Sequence, residues 1–313
     1  MSLSHDIADY PEGIVLPVDK PYRWTSADVI RKLKYAAIKH FGKKNLKVGH
    51  AGTLDPLATG VLLVCIGNAC KRAQELQDHD KEYIATIRFG ATTPSYDLEK
   101  DPDRTFPFSH ITADAVRSAL PQFLGEQEQI APLFSAKSVD GVRAYELARK
   151  LYRSNNVIPG PTGNLSALDS AALESLHRSR IVISELELLE FRAMEVPEGS
   201  VSPETVPPTA HEWEGPIVDG RDEDRRSEVS GETLPSGTPS SRINVADTSA
   251  MGLPEAVVRI ACSKGTYIRA FARDLGEALG SGAHLAGLVR SRSGIYSVAD
   301  ALTLDQALSL LAP

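Results

Sequence analysis

The feature that most constrains the fold lies within residues 48–66. There Gly52-Thr53-Leu54-Asp55-Pro56-Leu57-Ala58-Thr59-Gly60 leads directly into the unbroken apolar run Val61-Leu62-Leu63-Val64-Cys65-Ile66. A continuous apolar run of this length suits a buried strand. Asp55 therefore sits in a turn at the mouth of a core strand. The residue types alone allow two readings of that turn. In one, Asp55 is a carboxylate placed for chemistry. In the other it is an N-cap, with Pro56 at the first helical position and Gly60 ending a single turn.

Hydrophobic periodicity extends the reading along the chain. Residues 13–19 predict a short strand. Residues 27–41 predict a helix, with Val29, Ile30, Leu33, Ala37 and Phe41 at helical spacing and Thr25 or Ser26 as its cap. Residues 83–89 alternate as a half-buried strand does, and 181–191 and 256–262 are further strands. Helices are expected from Thr112 to about 123, over 144–152, over 267–279 with Gly280 closing it, and over 304–311. Strands and helices do not alternate regularly. The fold class expected is α+β, with a mixed, largely antiparallel central sheet flanked by helices.

A net charge of -7 argues at first against a nucleic-acid partner. Its distribution reverses the argument. Residues 196–250 hold 11 acidic and 4 basic side chains out of the chain's 41 and 34, so acids and bases balance elsewhere. That segment is rich in Pro and Ser, and has few large apolar residues beyond Trp213. It cannot bury enough apolar surface to offset its ordering entropy. We expect 1–12 to be a tail, 13–195 and 251–313 to form one catalytic domain, and 196–250 to be an acidic disordered insertion. Arg31, Lys32, Lys34, Lys39, Lys43, Lys44 and Lys47 form a run with no acid from Val29 to Leu54. Because the run leads into the Asp55 turn, it is read as a nucleic-acid-facing patch.

No apolar run approaches the roughly 18 residues a membrane helix needs, and residues 1–12 lack the regions of a signal peptide. A cytoplasmic protein is expected. Cys65, Cys70 and Cys262 fit neither a zinc pattern nor a disulfide framework, and are read as small core hydrophobes.

The string Gly49-His50-Ala51-Gly52-Thr53-Leu54-Asp55-Pro56-Leu57-Ala58-Thr59-Gly60 closely resembles the catalytic motif of the TruB family of tRNA pseudouridine synthases. Further matches follow in the family's order: Asp19-Lys20-Pro21 with Thr25-Ser26, Lys81-Glu82-Tyr83, Pro132 with Phe134-Ser135-Ala136, and Tyr145-Glu146-Leu147-Ala148-Arg149. Cys262-Ser263-Lys264-Gly265-Thr266-Tyr267-Ile268-Arg269 and Gly282-Ala283-His284-Leu285 complete the series. The resemblance covers residues 13–194 and 256–308. It departs from the family's pattern at Arg23, where glycine is usual, at Ala131 in place of a proline, and at Ser138 in place of a lysine.

The resemblance implies an isomerase that converts uridine 55 in the T-loop of tRNA to pseudouridine, without metal or other cofactor. It implies Asp55 as the working carboxylate, acting as nucleophile or as base at the ribose. Arg269 would keep that carboxylate ionised, Tyr83 would stack on the base near C5, and Tyr267 would position Arg269. Leu288 would form an apolar wall, His50 would fill the space left by the flipped base, and Lys20, Lys43 and Lys44 would bind RNA. The partners implied are the tRNA T-arm alone, with no membrane and no obligate protein partner, bound by a monomer. The small C-terminal RNA-binding domain that members often carry is expected to be absent, which disfavours the relatives that modify ribosomal RNA within guide-RNA complexes. A non-catalytic RNA-folding role is disfavoured by the intact Asp55, Tyr83 and Arg269. Hydrolase readings lack a P-loop, a Gly-x-Ser-x-Gly elbow or a glycosidase carboxylate pair.

Overall fold

A computed structural model of the chain describes residues 3–132, 138–139, 142–143, 178–193 and 243–312. The expected helix at 144–152, the Phe134-Ser135-Ala136 match and residues 196–242 of the acidic insertion lie outside them.

The chain opens with β1 (Ile14–Lys20) and α1 (Ser26–His40). A capping box starts α1. The Thr25 hydroxyl accepts from the Asp28 N–H, and the Asp28 carboxylate accepts from the Thr25 N–H. Val29, Leu33 and Ala37, four residues apart, bury one face of the helix. There follow β2 (Val48–Ala51), β3 (Ala58–Ile66), α2 (Ala73–Asp78) and β4 (Lys81–Phe89). Next come α3 (Ala113–Ala119), β5 (Gly125–Ile130), β6 (Arg178–Arg192), β7 (Glu255–Cys262) and α4 (Ile268–Ala278). The chain continues through β8 (Ala283–Ser293), β9 (Tyr296–Ser297), β10 (Leu302–Thr303) and α5 (Leu304–Leu310). After α3 the helix expected to run to 123 tightens into a 3-10 turn, Leu120–Phe123, with Pro121 in its first turn.

Ten strands form one sheet in the order β10-β1-β3-β8-β4-β7-β6-β5, with β9 paired to β8 and β2 to β3. Only β10–β1 and β3–β8 run parallel. The sheet is thus mixed and mainly antiparallel, with helices packed on it. β8 was not legible as a strand, because Ala-His-Leu-Ala-Gly-Leu-Val-Arg-Ser-Arg-Ser neither alternates nor forms an apolar run. It extends because β3 and β4 flank it on either side.

β3 changes partner along its length. β1 runs beside all of residues 60–66, whereas on the other side β8 pairs at 58–60 and β2 at 63–66. Residues 52–57 cross the opening between β2 and β8. Three cores result. One packs β4, β7 and β8 against α3 and α4, a second packs β1 and one face of β3 against α1 and α5, and a smaller third packs β2 and the other face of β3 against α2. Tyr83 and Leu288 touch the first two, so the Asp55 turn lies at their seam.

Part of the expected disordered insertion is packed. Ile243, Ala246 and Thr248 are buried, and a short turn, Ser249–Met251, leads into β7. Two apolar side chains and a donated backbone N–H, from Ala246 to the Leu98 carbonyl, offset the ordering entropy there. The expectation of disorder therefore does not hold for residues 243–250. Among the described residues no helix is long and apolar enough to cross a membrane. The three cysteines are free, with Cys65 and Cys262 buried.

Candidate active site

Residues 55–58 form a β-turn, with the Ala58 N–H donating to the Asp55 carbonyl over 3.1 Å. The single-turn helix is therefore not formed, and Gly60 lies inside β3 rather than at a helix end. Pairing of Ala58 with Leu288 of β8 draws the chain into the sheet at once. Gly60 has φ +96°, and a Cβ there would stand 2.2 Å from the Arg290 carbonyl oxygen, so only glycine lets β3 and β8 approach.

The turn is held from beneath. Ser26 Oγ exchanges hydrogen bonds with the backbone of Leu54, donating to its carbonyl at 3.1 Å and accepting from its N–H at 3.0 Å. Lys20 Nζ donates to the carbonyls of Pro21 at 3.0 Å, Trp24 at 2.6 Å and Pro56 at 3.1 Å. This corrects the expectation that Lys20 binds RNA. Its side chain has no exposed surface and its three donors are spent on carbonyls around the turn. Burial pulls its pKa down to about 7, against the raising effect of Asp55.

Asp55 keeps 38% of its side chain exposed, and Arg269 behind it only 6%; Arg269 Nε lies 2.9 Å from Asp55 Oδ2. The same Nε is 3.6 Å from Asp97 Oδ2. Another guanidinium nitrogen donates to the Ser95 carbonyl at 3.1 Å. Arg269 occupies the first turn of α4, whose N-cap is Tyr267. The buried Gln129 amide fixes that N-cap, accepting from the Tyr267 N–H at 2.8 Å and donating to its carbonyl at 3.2 Å. Asp97 is buried, and accepts from Ser95 Oγ at 2.6 Å and from the Glu99 N–H at 2.9 Å. Burial raises its pKa despite the opposing Arg269 charge. Burial works against the Arg269 charge, but Asp55 and Asp97 more than offset it, and the guanidinium stays protonated.

Asp55, Asp97 and Arg269 line an open cleft whose apolar wall includes Leu57, Leu98, Leu285 and Leu288. Tyr83 does not line this cleft. Its ring packs at the seam of the cores, on the face of β4 that carries Ala85, whose partner in β8 is Leu288. Arg290, the cross-strand partner of Tyr83, hydrogen-bonds the phenol, which burial keeps neutral by raising its pKa. Arg290 is itself buried, and donates from Nε to the Val61 carbonyl at 2.7 Å and from its terminal nitrogens to Gly52 at 3.2 Å and Thr53 at 3.4 Å. It thus fills the opening where β3 changes partner.

His50 sits on β2, partly buried, opposite Val64. Burial, then the Arg290 charge, lowers its pKa, so the ring is neutral at neutral pH. Lys43 and Lys44 are exposed on the loop between α1 and β2. The site residues missed from sequence are Asp97, Gln129 and Arg290. Asp97 follows Thr-Thr-Pro-Ser-Tyr, which reads as an ordinary turn. Gln129 lies in a polar strand, and Arg290 is one of two arginines in a serine-rich stretch. Among the described residues no three His, Cys, Asp or Glu side chains converge to hold a metal ion.

Two family models match the chain: TruB family pseudouridylate synthase (N terminal domain) over residues 38–156, and tRNA pseudouridylate synthase B C-terminal domain over residues 269–312. The tRNA pseudouridine synthase B of Phocaeicola vulgatus is 41% identical over 297 residues, covering 95% of this chain and 92% of that one. That of Bacteroides thetaiotaomicron is 42% identical, covering 94% and 91%, and that of Thermus thermophilus 37%, covering 92% and 75%. In three dimensions the chain is similar to one in the crystal structure of a Cbf5-Nop10-Gar1 complex. The TM-score is 0.53 at 20% identity, covering 97% of this chain and 56% of that one, a likeness of fold.

Proposed function

This chain belongs to the TruB family of tRNA pseudouridine synthases, and on that premise we propose that it isomerises uridine 55 in the T-loop of tRNA, with Asp55 as the working carboxylate. The reaction breaks the bond from N1 to C1′, turns the base and joins C5 to C1′, while a proton leaves C5 and one is taken up at N1. Asp55 acts either as a nucleophile or as a base at the ribose. Both roles need an ionised carboxylate in a site that excludes most water, which burial alone would neutralise. The observation that carries the reading is the 2.9 Å approach of buried Arg269 to half-exposed Asp55. The always-charged guanidinium pairs with one carboxylate oxygen, fixes its orientation and leaves the other oxygen for substrate.

The target base must leave its stack, which costs roughly a few kcal/mol. Leu57 and Leu288 offer the base an apolar wall in exchange. Tyr83, set beside the cleft rather than in its lining, with its phenol held by Arg290 and within reach of the Asp55 charge, is the aromatic group assigned to the C5 side of the base. His50, neutral and aromatic, stacks in the vacated space of the loop. Lys43 and Lys44 meet phosphates of the T-arm. In this reading the enzyme acts as a cytoplasmic monomer on free tRNA, and sedimentation of the working enzyme with tRNA as a 1:1 complex tests that part. The activity is tested by tritium release from unmodified tRNA labelled at C5 of uridine. Release by the parent but not by Asp55→Asn is expected. Silence from both with tRNA binding retained would overturn the assignment, as would release from a uridine outside the T-loop.

A further inference from the structure

Among the described residues two non-glycine residues have left-handed backbones, Arg23 at φ 63° and Tyr96 at φ 56°. Such residues are strained, and persist where the surrounding structure dictates them. Both lie on loops beside the cleft, and one stretch of chain joins those loops. The Arg23 N–H donates to the Pro56 carbonyl at 3.0 Å, directly after Asp55. Its guanidinium donates to the Ile243 carbonyl at 2.8 Å. Three residues on, the Ala246 N–H donates to the Leu98 carbonyl at 2.7 Å. Leu98 lines the cleft and follows Asp97, whose carboxylate shares Arg269 with Asp55. The contacts close a ring around the site: Asp55 turn, Arg23, residues 243–246, Leu98 and Asp97, Arg269, and Asp55 again. At its far end the same stretch is pinned by Thr248, which hydrogen-bonds the buried His284 and Arg88.

We propose that residues 243–248 are a strap that fixes the Asp97–Leu98 wall of the cleft, and that Arg23 is its clasp and a positioning residue for the isomerisation. The strap rests on the proposed function for its catalytic consequence and on contacts alone for its existence. A glycine would adopt the Arg23 backbone without strain, so nothing in the loop itself calls for arginine. The long side chain accounts for the residue, because only its reach ties the Asp55 turn to the strap. The Asp97 loop is also pinned to β8, where the Leu285 N–H donates to the Tyr96 carbonyl at 3.0 Å and Asp97 bridges Leu285, so the strap adds a second anchor on the Leu98 side.

Arg23→Gly, Arg23→Lys and the parent protein separate the alternatives, because glycine suits the backbone and the variant folds. Hydrogen exchange of the 243–248 amides in Arg23→Gly is expected to quicken about tenfold with no fall in Tm. In tritium release, kcat is expected to fall about tenfold while KM for tRNA stays within about twofold, because misplacement of positioned groups acts on the chemical step. Arg23→Lys is expected to recover part of both. Unchanged exchange would overturn the strap. Quickened exchange with unchanged kcat would overturn its catalytic role. A raised KM with unchanged kcat would make Arg23 an RNA contact instead, and would also overturn it. If the parent itself releases no tritium, the catalytic role falls with the proposed function while the exchange data still decide the strap.

Discussion

Arg269 Nε stands 2.9 Å from Asp55 Oδ2 and is shared with Asp97 at 3.6 Å, so one buried guanidinium serves an exposed carboxylate and a buried one. The arrangement is directional. All three line the cleft, but only Asp55 is open to it, whereas the Asp97 and Arg269 side chains are buried, so the ion pair is screened from water on its inner side.

Arg269→Lys keeps the charge but loses the planar fork. We expect kcat to fall about 100-fold with tRNA affinity nearly unchanged. Arg269→Met leaves Asp97 buried beside no cation, and should also destabilise the fold by about 3 kcal/mol or more. Tritium release, filter binding and urea melts read the three effects. A Lys variant with parental kcat would show that orientation of Asp55 by the fork is unimportant.

Gly60→Ala places a Cβ 2.2 Å from the Arg290 carbonyl oxygen at φ +96°, with backbone rather than a flexible side chain in the way. Destabilisation of at least about 2 kcal/mol is expected, seen as a Tm lower by roughly 5 °C or more. Gly42→Ala is the control. Its φ is +59° but a Cβ there meets nothing within 4 Å, so the loss should be about 1 kcal/mol.

Reversing Lys43 and Lys44 to Glu should weaken binding of every tRNA to a similar degree. The slope of log affinity against log salt should shrink by about 2, one unit for each phosphate no longer neutralised. Turnover at saturating tRNA should hold. An unchanged slope would remove both lysines from the interface.

His284 is fully buried, its Nδ1–H donating to the Ala91 carbonyl at 2.9 Å, and burial lowers its pKa to about 4. The unfolded chain binds a proton near pH 6.5 and the folded chain does not, so the contribution is complete above 6.5 and is lost as pH falls toward 4. The span corresponds to about 3 kcal/mol. Asp97, with its raised pKa, acts in the opposite direction, so the comparison must be with a variant. His284→Gln should be less stable than the parent at pH 7, with the gap closing by pH 4.5 in urea melts. A gap independent of pH would mean that the ring is not held neutral.

Much of the architecture was legible because it rests on local periodicity. The stripe of Val29, Leu33 and Ala37, the Thr25 cap and the run from Val61 to Ile66 each express a rule that acts within a few residues. Asp55 and Arg269 were legible by resemblance to the TruB family, and their pairing was expected from charge. Asp97 was not, since its turn is polar and ordinary, and its role exists only where Arg269 reaches it. Lys20 shows the converse: a lysine in a matched motif suggested RNA, but burial turned its donors inward to three carbonyls.

The sequence by itself determined which segments could be strands and helices, where the family's motif and its carboxylate lay, and which family the chain belongs to, because periodicity, turn chemistry and motif are written in consecutive residues. Tertiary structure alone decided that 283–293 is a central strand, that Arg290 fills the opening in β3, and that residues 243–248 return to brace the cleft. Each depends on partners far along the chain, and backbone donors, acceptors and buried charges acquire their roles only when the fold supplies what they pair with.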